Sequence, residues 1–148
     1  MEYLIELFDN GILRAAVVSW AIAQLLKVVI AFIRVRRLDI GLMLSTGGMP
    51  SSHTAFMVAM TTAVGIREGF GTSAFAIAAA ITVVVMSDAA GVRRAAGKQA
   101  KVINTIVENI KNTGVAFDKK LKELLGHTPI EVACGAVLGI VVAWVMYG

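Results

Sequence analysis

Residues 15–33 read AAVVSWAIAQLLKVVIAFI, an apolar stretch interrupted by Ser19, Gln24 and Lys27. Its length approaches the roughly 20 residues that an α-helix needs to cross the hydrocarbon core of a bilayer. Further apolar stretches lie at residues 52–66, 73–90 and 130–147, and the first two of these would span only with their flanking polar turns. The sequence therefore predicts an all-α integral membrane bundle of about four transmembrane helices.

Composition also favours a membrane location. Of the 148 residues, 57% are hydrophobic and 16% are charged, whereas about a quarter are charged in ordinary soluble domains. A soluble protein with buried helices is the alternative. The length predicts a single membrane domain, residues 1–148, and Cys134, which lies in an apolar stretch, is expected to pack as a small hydrophobe.

Positive charges are unevenly distributed between the predicted connections. Arg34, Arg36 and Arg37 follow the first span, whereas the connection between the second and third spans contains only Arg67, next to Glu68. The third span is followed by further basic residues, namely Arg93, Arg94, Lys98, Lys101, Lys111, Lys119, Lys120 and Lys122. Because cytoplasmic loops carry an excess of Lys and Arg, the basic face is predicted to be cytoplasmic, with both termini outside.

Residues 94–126 are predicted to form a cytoplasmic amphipathic helical insert. Apolar residues recur there at helical spacing: Ala96, Ala100, Ile103, Ile106, Val107 and Ile110. Asn112–Gly114 is a typical glycine stop, and a second short amphipathic run around Leu121 follows. The insert would either lie in the headgroup plane, as lysine-rich amphipathic helices do, or pack against the cytoplasmic end of the bundle.

Three polar patches interrupt the apolar pattern. GGMPSSHT (47–54) precedes the second span, SDAAGVRRAAGKQ (87–99) follows the third, and GHTPIE (126–131) precedes the fourth. With four spans, all three patches open on the same side of the membrane. They contain both histidines, His53 and His127, and ionisable groups at membrane depth are costly and usually functional.

This set of residues suits chemistry at phosphorus. One histidine could attack the phosphorus atom while the other protonates the departing oxygen. Lys27, near the same end of the first span, and the arginines would hold phosphate oxygens and offset charge in the transition state. Pro50-Ser51-Ser52 is predicted to begin a helix, and the first backbone N–H groups of a helix can bind an anion.

Glu131 has two interpretations. Thr128-Pro129-Ile130-Glu131 matches a capping box, with threonine at the N-cap, proline at N1 and glutamate at N3. Glu131 also lies four residues after His127, where it could accept the ring N–H and orient the imidazole, as the third member of a catalytic triad does. The two roles are compatible.

The other residues also have structural interpretations. His53 would mark a helix start, Lys27 would snorkel towards the interface, and Arg93 and Arg94 would be cytoplasmic anchors. However, both histidines lie beside helix starts on the same predicted face. A purely structural explanation of the two together is therefore weaker than such an explanation of either one.

Taken together, these motifs resemble a divergent branch of the phosphatidic acid phosphatase type 2 superfamily, which also includes vanadium haloperoxidases. The superfamily pattern runs Lys-x6-Arg-Pro, Pro-Ser-Gly-His and Ser-Arg-x5-His-x3-Asp. Lys27 and Arg34 have the first spacing, followed by valine instead of proline. PSSH (50–53) matches the second motif with Ser52 for glycine, and GHTPIE matches the His-x3-acid end of the third with glutamate for aspartate. The arginine that usually precedes this histidine closely is absent, and the RR pair at 93–94 takes its place across the insert.

The resemblance implies a role for each matching residue. His127 would be the nucleophile that forms a phosphohistidine, Glu131 would orient it, and His53 would be the general acid. The phosphate would be bound by Lys27, Arg34, Ser52 and one of Arg93 and Arg94. The superfamily's phosphatases need no metal or other cofactor, but Asp39, Asp88 and Glu131 are carboxylates on the same predicted face and would suit a divalent ion.

The resemblance therefore implies a membrane phosphatase, a hydrolase of lipid phosphates or isoprenoid (pyro)phosphates, with its site on the cytoplasmic face of the cell membrane. The alternative is a non-catalytic lipid-binding or transport component that retains the anion pocket, and vanadate-dependent oxidation is a distant third. Membrane lipid and the phosphorylated substrate are the expected partners, without nucleic acid. Gly135 and Gly139 form a small-xxx-small pair that suits helix packing, within the bundle or in a homo-oligomer.

Overall fold

The computed structural model describes residues 2–36, 48–111, 121 and 126–148, and the regular structure within these ranges is entirely helical. In chain order the helices are α1 (Glu2–Asp9), α2 (Gly11–Val35), α3 (Ser52–Glu68), α4 (Ser73–Ser87), α5 (Arg93–Lys111) and α6 (Pro129–Tyr147). A π-helical segment, Asp88–Val92, joins α4 to α5. The predicted all-α fold class is confirmed, while α1 and the π-helical segment were not predicted.

Polar capping residues determine where the long helices begin. The side chains of Asn10, Ser51, Thr72 and Thr128 accept a hydrogen bond from a backbone N–H in the first turn of α2, α3, α4 and α6 respectively. Such a bond satisfies one of the N–H groups that a helix start otherwise leaves unpaired. The helix starts predicted at Pro50-Ser51-Ser52 and at the capping box are confirmed.

α3 is the central helix and packs against α2, α4 and α6. Close approach to α6 depends on two glycines: a Cβ atom on Gly135 would lie 2.5 Å from the carbonyl oxygen of Ser51, and one on Gly139 would lie 2.7 Å from that of Ala55. Both glycines are buried against α3 of the same chain. The small-xxx-small pair thus serves packing within the bundle, and self-association of the chain stays a prediction.

Small side chains fill the interior and large apolar side chains cover the outside. The fully buried residues of the core are mostly alanines, such as Ala59 and Ala63, whereas Val145 is 82% exposed and Val84 is 67% exposed. A soluble protein would bury such residues and expose few large apolar patches. Close packing of small residues under a lipid-facing apolar surface is typical of membrane helices, so the soluble alternative is disfavoured.

Three helical stretches are long and apolar enough to cross a membrane, namely Gly11–Ile33, Ser73–Asn109 and Pro129–Tyr147. They correspond to the first, third and fourth predicted spans. The second predicted span corresponds to α3, whose 17 residues make a helix of about 25 Å. The count of four spans therefore stays a prediction.

The predicted insert, residues 94–126, is described as far as Lys111, at Leu121 and at its last residue. Its described helix, α5, exposes the apolar residues Val102, Ile103 and Ile106. Asn104 is buried and makes two hydrogen bonds to the backbone of Leu121, as donor to the carbonyl oxygen (2.8 Å) and as acceptor from the N–H (2.9 Å). The predicted glycine stop, Asn112–Gly114, lies outside the described residues, and the cytoplasmic placement stays a prediction.

Candidate functional site

Parts of all three polar patches meet at one end of the bundle. The Lys27 Nζ donates to Ser52 Oγ at 3.2 Å and thereby links the C-terminal half of α2 to the first turn of α3. The backbone N–H of Ser51 donates to the carbonyl oxygen of Glu131 at 3.0 Å, and the N–H of His127 donates to that of Ala89 at 2.9 Å. These bonds place the start of α6 in contact with both the start of α3 and the π-helical segment. We call this region, which comprises Lys27, the first turn of α3, the π-helical segment and residues 127–131, the histidine end.

A buried His127 and a partly exposed Glu131 form a pair at the histidine end. His127 is 2% exposed, and its Nδ1 lies 3.1 Å from Oε2 of Glu131. The same carboxylate oxygen accepts the backbone N–H of Thr128 at 3.1 Å, which completes the capping box. Glu131 therefore makes both of the contacts that its two interpretations require.

The contact with Glu131 also determines which ring nitrogen of a neutral His127 carries the proton. An ionised carboxylate only accepts hydrogen bonds, so His127 donates from Nδ1 and carries its lone pair on Nε2. A positive charge that develops on this ring would be stabilised by the carboxylate beside it, as in a catalytic triad. The pair thus has the arrangement of a base or nucleophile with its orienting acid.

Lys27 is turned into the bundle. It is 4% exposed, so its ammonium group does not snorkel to the interface as the structural alternative required. A Cβ atom on Gly48, which has a φ of 97°, would lie 3.8 Å from Cγ and Cδ of Lys27, so this backbone lies over the aliphatic part of the lysine. The negative charge of Glu131 offsets only part of the cost of burying this ammonium.

His53 is the second imidazole of the histidine end. It lies in the first turn of α3, half-buried, and its ring centroid is 6.3 Å from that of His127, with the rings inclined at 60°. The rings are therefore neighbours in an edge-on arrangement.

Ser51 lies beside the site; the sequence placed it at a helix start and in the PSSH motif but gave it no role of its own. It is fully buried, and its Oγ accepts from the N–H of Thr54 at 3.4 Å and from the hydroxyl of Thr54 at 3.0 Å. The backbone N–H groups of Ser51 and Thr54 therefore already donate hydrogen bonds within the protein. Fewer N–H groups at this helix start are left to bind the predicted anion. The Ser-x-x-Thr spacing of an N-cap is the sequence signal for this arrangement.

The predicted arginines are described only by their backbone. Arg34 lies in the last turn of α2, and Arg93 and Arg94 begin α5 directly after the π-helical segment. The side chains of all three lie outside the described part of the chain, so their roles stay predictions. Asp39 also lies outside it, and no group of three or more His, Cys, Asp or Glu able to hold a metal ion occurs among the described residues.

An open apolar groove adjoins the histidine end and was not predicted. Its volume is about 560 Å³, and it is lined by Val17 and Trp20 of α2, His53, Phe56 and Met57 of α3, and Val85 of α4. The helical spacing of the α2 pair and of the α3 trio is the signal that the sequence contains. Only the packing of the three helices shows that these faces enclose one space.

Comparison with known proteins agrees with the motifs. The sequence model of a family described as the divergent PAP2 family matches residues 8–142, which include every predicted site residue. An uncharacterized membrane protein of Bacillus subtilis (strain 168), YuiD, is 45% identical over 152 aligned residues, covering 95% of this chain and 96% of that protein. No solved structure matches the chain. The chain therefore belongs to the divergent PAP2 family, and its apolar helices make it an integral membrane protein.

Proposed function

We propose that this protein is a phosphatase that hydrolyses a lipid phosphate or an isoprenoid (pyro)phosphate at the cytoplasmic surface of the membrane. The observation that carries the proposal is the pair of the buried His127 with Glu131, with Lys27, Ser52 and His53 gathered around it. Membership of the divergent PAP2 family supports phosphoryl chemistry as the reaction class.

The reaction would proceed in two steps. In the first, Nε2 of His127 attacks phosphorus, the bond from phosphorus to the leaving oxygen breaks, and His53 donates a proton to that oxygen. In the second, a water molecule gives a proton to His53 and attacks phosphorus, the bond from phosphorus to Nε2 breaks, and inorganic phosphate leaves. Glu131 stabilises the imidazolium character of His127 throughout.

The phosphate oxygens would be held by the buried cation and its neighbours. Lys27 and the Ser52 hydroxyl already contact each other, and a bound phosphate would accept from both. Arg34 and one of Arg93 and Arg94 would complete the charge. Fixed donors in a site that excludes water stabilise transition-state charge far better than the same groups in water.

A non-catalytic lipid-binding or transport component is a second candidate. The side chain of His127 is only 1% exposed, and a nucleophile has to be reached by its substrate. A buried His127 that only holds Glu131 and the start of α6 in place would leave an anion pocket without turnover.

Phosphate release separates the two candidates. Purified protein is incubated with a panel of lipid phosphates and isoprenoid (pyro)phosphates, alongside His127→Ala and His53→Ala. We expect release by the wild type and no detectable release by His127→Ala, and a labelled phosphohistidine trapped by rapid acid-free denaturation. Equal release by the wild type and His127→Ala would end the nucleophile assignment. Saturable lipid binding without release from any substrate would favour the second candidate.

The predicted sidedness has its own test. After Cys134→Ser, single cysteines are introduced at Lys119 and at Arg67 and labelled in intact cells with a membrane-impermeant reagent. The four-span arrangement places Arg67 outside and Lys119 in the cytoplasm, so only the first is expected to react. Labelling of both from one side would contradict it.

A further inference from the structure

We propose that the apolar groove beside His53 binds a hydrocarbon chain of the phosphorylated substrate, and that Trp20 and Val17 limit the length of chain that fits. The inference rests on the proposed function, because it assigns the groove to the same substrate whose phosphate meets the histidine end. It makes the substrate an amphiphile and not a water-soluble phosphate ester.

The dimensions and lining of the groove suit a chain. Its volume of about 560 Å³ lies within the roughly 300–1,000 Å³ that is usual for small-molecule sites. Apart from His53, every lining residue is apolar: Val17, Trp20, Phe56, Met57 and Val85. A polar ligand would find few hydrogen-bond partners in these walls, because Trp20 and His53 alone among the lining side chains can form them, whereas a hydrocarbon chain needs none.

The position of His53 connects the groove to the reaction. A general acid has to lie within hydrogen-bond reach of the oxygen that leaves, and in a lipid phosphate that oxygen carries the hydrocarbon chain. Phe56 and Met57 follow His53 by three and four residues on the same helix, so they lie one turn deeper on the same face. A leaving group beside His53 therefore has the groove directly below it.

The groove also runs in the direction that a membrane lipid requires. At a rise of 1.5 Å per residue, Trp20 lies about 10 Å and Val17 about 15 Å below the level of Lys27 along α2. These depths reach well into the hydrocarbon core, whose full thickness is about 30 Å. Trp20 is 44% exposed, so the groove is open to lipid at its side, and a chain could enter without leaving the membrane.

The two tryptophans of the chain allow a direct test. Trp20 lines the groove, whereas Trp144 is 55% exposed on α6 and is not part of it. Trp144→Phe and Trp20→Phe proteins in detergent micelles are titrated with phosphatidic acid that has brominated acyl chains, because bromine quenches tryptophan fluorescence on contact. We expect saturable quenching of Trp20, reversed by unbrominated phosphatidic acid, and weak unsaturable quenching of Trp144. Equal quenching of both, or equal quenching of Trp20 by brominated phosphatidylcholine, would assign the groove to bulk lipid and overturn the proposal.

A second measurement tests chain length. Val17→Trp fills the deep end of the groove, and Val18→Trp, at a neighbouring exposed position outside it, is the matched control. Since one methylene in an apolar pocket changes specificity by about 10–200-fold, we expect Val17→Trp to lower kcat/KM for long-chain monoacylglycerol phosphate at least about tenfold and to spare a short-chain analogue. Equal effects of both variants on both substrates would overturn the proposal. Absence of release from every substrate would contradict the proposed function, and the fluorescence measurement would then decide on the groove alone.

Discussion

The two polar ends of the bundle differ in how deeply their charged side chains are buried and in what these side chains contact. At the histidine end, Lys27 and His127 are buried and contact side chains of other residues. At the opposite end, where α2 begins and α3 and α6 finish, Arg67 is exposed and its guanidinium lies 5.2 Å from the centre of the Tyr147 ring. The Tyr147 hydroxyl donates to the carbonyl oxygen of Gly11 at 2.7 Å.

Both ends have an open cavity beside them, so a cavity alone does not mark the functional end. The cavity at the Arg67 end has a volume of about 360 Å³ and is lined by Asp9, Asn10, Gly11, Ile12, Arg67 and Glu68. The charged groups there are exposed, and exposed charges cost little to place on a surface. Burial of a lysine and a histidine is costly, and for this reason we propose the functional site at the histidine end and a supporting role for the Arg67 end.

The largest difference between the ends is expected from His53→Ala against Tyr147→Phe. Loss of a general acid lowers rates by about 10²–10⁴-fold, so release from a lipid phosphate should fall by that factor in His53→Ala and by less than about twofold in Tyr147→Phe. The first-turnover burst of nitrophenolate from p-nitrophenyl phosphate should fall much less in His53→Ala, because nitrophenolate leaves without a proton and His53 is needed as a base only in the later step. Equal losses in the first turnover of both substrates would remove the general-acid role.

A comparison of Glu131→Gln with Thr128→Ala separates the orientation of His127 from the capping of α6. Glutamine keeps an oxygen that can accept the Thr128 N–H but loses the charge facing His127, so activity should fall about 10²-fold or more with little change in stability. Thr128→Ala removes an N-cap worth about 1 kcal/mol and should lower the unfolding temperature while kcat stays within about twofold. If the histidine end only stabilised the fold, both variants would lower the unfolding temperature and leave kcat unchanged.

Lys27→Met against Arg67→Met compares the cations of the two ends. A hydrogen bond to a charged group contributes about 1.5–3 kcal/mol, so kcat/KM should fall roughly 10–150-fold in Lys27→Met. Arg67→Met removes a cation–π contact worth about 0.5–1 kcal/mol at an exposed position and should leave kcat/KM unchanged. Steady-state kinetics on one lipid phosphate in mixed micelles measures both, and equal effects would erase the distinction between the ends.

The smallest effect is expected from glycine substitutions. A Cβ atom on Gly135 would meet the Ser51 carbonyl oxygen at 2.5 Å, whereas one on Gly71, in the turn before α4, has no neighbour within 4 Å. Overpacking of this kind costs about 1–3 kcal/mol, so Gly135→Ala should unfold at a lower temperature in detergent than Gly71→Ala. Equal unfolding temperatures would show that α3 and α6 separate easily at the histidine end.

Much of the helical architecture was predictable because its signals are local. Apolar length marks helices that can lie in a membrane, and Ser51 and Thr128 mark helix starts by hydrogen bonds to residues three positions later. The Glu131–His127 contact was predictable for the same reason, since four residues separate them on consecutive backbone. Helix α1 was missed because its eight residues carry no comparable apolar length.

Contacts between helices could not be predicted from local sequence patterns. The inward turn of Lys27 to Ser52 joins residues 25 positions apart, and its sequence pattern is equally compatible with a lysine that snorkels to the interface. The apolar groove likewise combines residues of α2, α3 and α4, whose individual periodicities do not tell which faces meet lipid and which face each other.

The amino-acid sequence was enough to predict a membrane bundle of helices, with both histidines on one face and a capping box that brings a carboxylate to His127. The packing of the helices was needed to show that α3 is central, that Gly135 and Gly139 let α6 approach it within the same chain, that Lys27 turns inward to Ser52 and that His53 lies beside the buried His127. Hydrogen bonds and caps within a helix depend on neighbours a few residues away, whereas the choice of packing faces depends on shape complementarity over the whole bundle.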